Sequence, residues 1–475
     1  MSGKGAFGVV LLAIAAGSGG VVGGWMLKER SLPASRGISE PLKESAGTEP
    51  LLPPIGRSFE AWSQSPELAG ALVGFCVFDD RGKLIYGSPL AETALCPASA
   101  LKTMTSGAAF GLLGPEFRFR TRLLAAGKIT DGRIAGDLVL EGSGDPTLSQ
   151  EDLEMMAEDL VKLGLKRVEG NVRVDATVFP AAPVNEHWNW GDIGNAYGTG
   201  AYGVNVGHNV LSLSFDPGAK QGDPAKFLGS EPGLEKTRWD VAVTTGPAGS
   251  GDKVMIYSSP YAESIQVQGT VPMGEPLFTV RGSVPNPPAL AESILRAALK
   301  KRGVVLAGGK SERKADQEIL VHESAPLPEI VDHLHEVSDN LESQCLFLTM
   351  GNRAGAAPER VIRKYWEDAG VSFTGLRLID GSGLARATMI RPVDLARVNL
   401  AARQGPSGDR FLQSLPAGSN GTLRSKRGAM SGVRTEVGFV IRGGKEYPFA
   451  LMTNGLGTGV DFWRLRQPLL DAIGR

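Results

Sequence analysis

The chain has 475 residues, more than one hydrophobic core usually serves, and 42% of them are hydrophobic, enough for ordinary cores. With 50 Lys and Arg against 51 Asp and Glu, the balance of charge argues against a nucleic-acid surface. Cys76, Cys96 and Cys345 show no CxxC or Cys/His ligand spacing, which excludes a disulfide framework and a zinc signature and leaves one bridge open.

The first predicted element is an apolar run. Lys4 is followed by GAFGVVLLAIAAGSGGVVGGWML and then by Lys28 and Arg30. A basic start and roughly 20 apolar residues are long enough to cross a bilayer. No A-x-A site ends the run, so residues 1–30 are expected to be an uncleaved anchor, with a cleaved signal peptide as the alternative. Either exports the rest of the chain to the periplasm or cell envelope, and membrane contact is expected only through this segment. Residues 31–57 are proline-rich, polar and aperiodic and read as a linker.

The folded part is expected to begin near Phe59. VGFCVFDDRGKLIYG predicts a hairpin turning at Asp80, Arg81 and Gly82. SALKTMTSGAAFGLLG predicts a buried helix ending at Gly114. SQEDLEMMAEDLVKLG predicts an amphipathic helix capped by Ser149, with Leu153, Met156, Leu160 and Leu163 as its apolar stripe. From about 167 to 285 short strands alternate with turns. SVPNPPAL marks a boundary before the helix AESILRAALKKRG. PEIVDHLHEVSDNLESQCLFLTMG predicts two helices around a polar bend. VGFVIRGGKEYPFALMTNG is a second hairpin, and VDFWRLRQPLLDAIGR a closing amphipathic helix. Helix and strand at both ends, interrupted by a β-rich stretch, predict one α/β unit assembled from the two ends of the chain.

Three stretches could carry chemistry. In CPASALKTMTSG, Ser99 and Lys102 stand three apart, on one face of a helix. A desolvated lysine near other cations has a lowered pKa and can take a hydroxyl proton, making serine a nucleophile. In VSDNLES, Ser338 and Asn340 sit at the inter-helix bend. Ser338 could relay a proton from Lys102 to a leaving group, and Asn340 could hold a substrate amide. The bland alternative for Ser-Asp-Asn is a helix N-cap. In RSKRGAMSGV, Lys426 would supply positive charge near an anionic substrate end, and Gly428 would let substrate backbone approach closely. His333 and His335 form H-x-H, but positions i and i+2 do not share a helix face and no third ligand is evident, so no metal is expected. Cys96 reads as a small packed residue, Asp380 and Ser382 of DGSGLAR as a supporting turn, and Trp188 and Trp190 as packing rather than glycan contacts.

Taken in order, SxxK on a helix, SDN on a bend and K-x-G on a late strand resemble the signature of penicillin-recognising serine enzymes. The stretches PASALKTMTSGAAFGLLGPEFRFRTRL, LVLEGSGDPTL, VSDNLESQCLF, DGSGLAR and GTLRSKRGAMSGV are similar to the low-molecular-mass class C penicillin-binding proteins, the D-alanyl-D-alanine carboxypeptidase/endopeptidases, from about residue 60 onward. The separation of about 240 residues between the first two motifs fits, because that family inserts extra domains there. The resemblance implies an α/β (α+β) transpeptidase-like fold, an antiparallel sheet flanked by helices. Residues 58–117 and 325–475 would form the peptidase domain, and 118–324 an inserted β-rich region of two subdomains.

It also implies a mechanism on peptidoglycan stem peptides. Ser99 forms an acyl-enzyme with Lys102 as base, and β-lactams acylate the same serine. Ser338 passes a proton to the leaving amine, Asn340 positions substrate, and the backbone N–H groups of Ser99 and Ala429 hold the oxyanion. No metal or organic cofactor is implied. The chain departs from the family at one place, where Lys426-Arg427-Gly428-Ala429 stands for Lys-Thr-Gly-Thr. The two hydroxyls that would help bind the substrate carboxylate are missing. Arg427 would replace them by a bidentate contact or be turned outward by strand alternation. Carboxypeptidase, endopeptidase and a weakened member that binds wall peptide without turnover are all open at this point, and a β-lactamase is a further, weaker reading.

Overall fold

A computed structural model describes residues 52–310, 313–418 and 421–475. The expected anchor, and residues 31–51 of the expected linker, lie outside these. Residues 54–57 of that linker are the first turn of a helix, Pro54–Ser63, opened by its proline.

The organising element is a five-stranded antiparallel sheet. Its order is Leu423–Met430, Val433–Arg442, Lys445–Asn454, Leu72–Phe78 and Leu84–Gly87. The late hairpin turns through Gly443 and Gly444, both with positive φ (58° and 75°), as a two-residue loop that follows strand twist requires. The first strand of the domain then pairs with the last, with Val73 opposite Thr453 and Val77 opposite Phe449. The two ends of the chain therefore share one sheet.

Both faces of this sheet are covered, which is why its inner strands read as near-continuous apolar runs. One face carries the helices Lys102–Leu112, Leu327–Val337, Asn340–Ala354, Pro358–Asp368 and Pro392–Gln404 over a core that includes Phe78, Met104, Trp366, Phe411 and Phe439. The other face carries Pro54–Ser63 and the chain end around Phe59, Trp62, Phe75 and Phe462. The expected closing helix is two short ones, Phe462–Leu465 and Gln467–Ala472. Pro468 has no N–H to continue the first, so the helix restarts.

Between Leu112 and Leu327 the chain builds two further cores. A four-stranded sheet (Gln317–Glu323, Arg120–Ala125, Leu138–Glu141, Val172–Asp175) packs with helices Gln150–Lys162 and Pro287–Lys301. Two three-stranded sheets enclose a second core around Leu213, Phe215, Val243, Ile256 and Val267. In Gln150–Lys162, Ser149 and Asp152 form a capping box. Leu153, Met156 and Leu160 are buried, but Leu163, assigned above to the stripe, is 53% exposed. It is the C-cap residue, where the helical repeat has ended.

The three cysteines are free and buried, which closes the question of a bridge. Burial pushes the Cys76 thiol up to about 12 and that of Cys96 up as well, so neither is a thiolate nucleophile.

Candidate active site

Ser99 lies on a 3-10 turn, Ala98–Leu101, directly before the helix Lys102–Leu112. Ala98 has φ of +46°, a left-handed conformation that a non-glycine residue keeps only when its surroundings enforce it. Several contacts do so. The Asn454 amide grips both backbone groups of Cys96, at 2.8 and 3.1 Å. The Thr435 hydroxyl donates to the Pro97 carbonyl at 2.6 Å. On one side, a Cβ on Gly383 would stand 2.0 Å from the Ala98 carbonyl oxygen. On the other, a Cβ on Gly428 would stand 2.7 Å from the Pro97 carbonyl oxygen and 2.8 Å from the Ala100 nitrogen. The serine turn is thus pressed between two glycines of distant segments.

Gly428 was expected to make room for substrate backbone. The backbone it admits is the protein's own, the turn that presents Ser99. We expect Gly428→Ala to force the strand off this turn. The loss in a denaturant melt should be about 1–3 kcal/mol, with acylation slower by ten-fold or more. A variant within 0.5 kcal/mol of wild type would show that the turn needs no such contact.

Lys102 is completely buried. Its Nζ meets Ser99 Oγ at 2.9 Å, Asn340 Oδ1 at 2.5 Å and the Ser382 carbonyl oxygen at 3.0 Å. The Asn340 amide is oriented by its other end, where Nδ2 donates to the Tyr197 carbonyl at 2.7 Å. Two of the three partners of Nζ can therefore only accept, and only Ser99 can also donate. A neutral amine has two N–H bonds and one lone pair, which is the complement of this set. Burial, reinforced by the charge of Lys426, holds Lys102 well below the usual lysine range, against the opposing pull of Asp380 and Asp339.

Ser382 is fixed by its neighbours. Asp380, fully buried, accepts from Gly383 and Ala385 backbone N–H groups, from Ser382 Oγ and from Trp188 Nε1. Asp380 and Trp188 are structural, as expected, and together they aim the Ser382 carbonyl at Lys102. Trp190 is 57% exposed and stacks on Tyr257.

Ser338 closes the helix Leu327–Val337 with φ of +62°. Asp339 caps the next helix, accepting from Glu342 N at 2.8 Å, so the N-cap reading of the tripeptide holds for its middle residue. Lys426 is 3% exposed, and its Nζ donates to the Arg427 carbonyl at 3.2 Å. Burial brings its pKa down to about 8, with Glu336 pulling it up and Arg427 pushing it down.

Arg427 is turned outward. Its guanidinium lies 4.9 Å from the Trp463 ring centre and 3.4 Å from Glu436 Oε1, on the sheet face opposite Lys426 and Gly428. A bidentate contact from Arg427 into the cleft is therefore not made, because strand alternation spends its direction on the other side. Glu436, fully buried there, is neutralised by Arg466 at 2.6 Å and accepts from Ser425 Oγ at 2.8 Å.

The structure thus brings Ser99, Lys102 and Asn340 into direct contact and sets Lys426 within electrostatic reach. Sequence reasoning missed Asn454, Thr435 and the Tyr197 carbonyl, which act through side chains or backbone with no local pattern to betray them. His335, read from the sequence only as part of the H-x-H pair, is buried beneath the site with Nε2 2.9 Å from Ser106 Oγ and Nδ1 3.0 Å from Ser414 Oγ. His333, two residues away, faces the other direction, as the helical period demands.

This is the fold of the penicillin-binding-protein and β-lactamase-like transpeptidases. The crystal structure of penicillin binding protein 4 from Haemophilus influenzae superposes with a TM-score of 0.73 at 22% identity, covering 88% of this chain and 97% of that one. The chain belongs to the D-Ala-D-Ala carboxypeptidase 3 (S13) family, whose profile matches residues 57–465. It is 29% identical over 457 residues to a D-alanyl-D-alanine carboxypeptidase of Actinomadura sp. strain R39, covering 88% of this chain and 84% of the relative. It is 25% identical over 432 residues to the D-alanyl-D-alanine carboxypeptidase DacB of H. influenzae, with 85% and 89% covered. Family and fold are consistent with serine D,D-peptidase activity on peptidoglycan.

Proposed function

We propose that the chain is a serine D,D-peptidase that cleaves peptidoglycan stem peptides through an acyl-enzyme on Ser99. The observation that carries this reading is the Lys102 amine, wholly buried and flanked by two obligate acceptors and one hydroxyl. Its free lone pair is directed at the Ser99 proton.

Ser99 Oγ attacks the carbonyl between two D-alanines, or of a D-amino-acid cross-link, as Lys102 takes its proton. The tetrahedral oxygen is held by the backbone N–H groups of Ser99 and Ala429. Strand direction supports the second donor. Leu423–Met430 is an edge strand, and Ser425 N–H points off that edge to the Pro416 carbonyl at 3.0 Å. Its pairing has no register shift, so the N–H groups of Arg427 and Ala429 point the same way. The Lys102 proton passes through Ser338 to the leaving amine, and the C–N bond breaks. Water then attacks the ester and returns the serine proton. Lys426 offers positive charge to the substrate carboxylate and Asn340 holds the peptide amide. β-Lactams acylate the same serine because their amide takes the place of the substrate's. No step calls on a metal or organic cofactor.

Export belongs to the same proposal. Stem peptides lie outside the cytoplasmic membrane, and the apolar run after Lys4 is the segment proposed to carry the chain there, as an anchor or a cleaved signal. Among the described residues no helix is long and apolar enough to cross a membrane.

The test is intact mass after incubation with benzylpenicillin. We expect one adduct on wild type and none on Ser99→Ala. D-alanine release from a pentapeptide and cleavage of a cross-linked dimer then separate carboxypeptidase from endopeptidase. A folded wild-type protein that takes no adduct and cleaves neither peptide would leave a wall-peptide binder without turnover, and rapid nitrocefin turnover would make it a β-lactamase.

A further inference from the structure

A second cluster of chemically competent side chains stands beside the Ser338–Asn340 bend. His208 comes from the inserted region, on the turn Gly207–Asn209, while His333 and Asp339 come from the peptidase segment. One donor atom from each lies within 4.8 Å of the others. The two imidazole rings are 5.2 Å apart, centre to centre. His333 Nδ1 is 2.8 Å from Glu342 Oε1.

Two buried polar atoms of this cluster, His208 Nδ1 and Glu342 Oε2, make no hydrogen bond among the described residues. His208 Nδ1 lies 3.2 Å from Asp339 Oδ2, an ion pair when the ring is protonated, and has no other partner among the described residues. Glu342, 1% exposed, keeps Oε2 buried and without a hydrogen-bond partner among the described residues. A buried carboxylate oxygen in that condition costs about 1–3 kcal/mol unless something positive or hydrogen-bonding reaches it.

We propose that His208, His333 and Asp339 form a binding site for a divalent transition-metal ion of the zinc type, with Glu342 orienting His333 from behind. Two imidazoles and a carboxylate are a donor set that suits zinc, and three protein ligands leave a fourth position for water. The Nδ1 contact to Glu342 fixes the His333 tautomer and leaves its Nε2 for the ion, the usual carboxylate–histidine arrangement behind a ligating ring. A tetrahedral ion with bonds of about 2.0–2.2 Å sets its donors roughly 3.3–3.6 Å apart, so the site closes by about 1 Å on binding. The side chains of His333 and His208 are 47% and 31% exposed and have the freedom to do so. The ion would tie the inserted region to the bend that carries Ser338 and Asn340. It touches neither Ser99 nor Lys102, so the role is one of fastening, and the proposal stands or falls independently of peptidase activity.

The test is titration of the chelator-treated chain with Zn²⁺ by calorimetry and with Co²⁺ by visible absorption. Wild type should bind one ion, with the intense d–d bands of a tetrahedral Co²⁺ site, and Zn²⁺ should raise its melting temperature. His333→Ala and His208→Asn should each weaken binding by about 100-fold or more and lose both the bands and the thermal shift. Asparagine at 208 tolerates the φ of +55° found there, and His333 is exposed, so both variants should melt cooperatively without metal. Mg²⁺ should give no shift. Absence of a one-to-one site in wild type, or variants that bind as tightly as wild type, would overturn the assignment.

Discussion

Lys102→Met is expected to slow acylation of Ser99 by benzylpenicillin by ~10³-fold. Methionine keeps the length and volume of the lysine stem but has no lone pair of comparable basicity and no N–H. Ser99 then keeps its place on the turn fixed by Asn454, Thr435 and the two glycines, but has no group to take its proton. Time-resolved intact mass measures the rate, and a melting curve shows that the fold is kept. A rate within ten-fold of wild type would mean that some other base serves Ser99. The wild-type pH profile tests the same assignment. Because burial and Lys426 lower the Lys102 pKa, the neutral amine is available at lower pH than on an ordinary lysine, and the rate should rise as pH passes through that lowered value. For a substrate with a terminal carboxylate it should fall again above pH about 8, where Lys426 loses its charge. The product is a bell, and Lys426→Met should remove the upper limb.

The second large effect is on stability in acid. His335 is wholly buried, and burial, then the charge of Lys426, lower its pKa to about 3, against support from Ser414. An unfolded histidine titrates near 6.5. Between these values the unfolded chain holds a proton that the folded chain refuses. The contribution to stability is therefore complete above pH ~6.5 and is lost as pH falls toward 3, at ~1.4 kcal/mol per pH unit. Several kcal/mol is a large share of a typical folding free energy of 5–15 kcal/mol. Denaturant melts at pH 7.5, 6, 5 and 4 should show His335→Gln losing less stability than wild type across that range. Glutamine can still bond the hydroxyls of Ser106 and Ser414. Parallel losses in the two proteins would assign the acid sensitivity to other groups.

Much of this site was legible because its parts are local. Ser99 and Lys102 are one helical turn apart, and Ser338 and Asn340 flank one bend, so short motifs carry them. The two hairpins were legible from periodicity and turn glycines, and their joining in one sheet followed from covering both ends of the chain with helices. What escaped is what depends on direction or distance. Nothing in the order Lys426-Arg427-Gly428 says which alternate side faces the helix of Ser99. Packing decides it, and Arg427 goes to Trp463 and Glu436. Gly428 was read for its freedom toward a ligand, but its neighbour is the turn at Pro97. His208, which stands beside His333 and Asp339, lies on the distant turn Gly207–Asn209, beyond any spacing rule. Leu163 fell on the apolar stripe by arithmetic, one residue after the helix had stopped.

The contact between Lys102 and Asn340 spans 238 residues, and the strand facing Ser99 is itself held by Arg466 through Glu436. Synthesis from the N-terminus therefore makes the nucleophile early and its partners late. While a chain is emerging, Ser99 has neither the amide that contacts Lys102 nor the edge strand that packs against its turn. A chain cut short before Arg466 would also strip the buried Glu436 of its shorter ion pair and leave it only the longer one to Arg427. The contacts that complete the surroundings of Ser99 therefore form only after the chain has been made as far as Arg466.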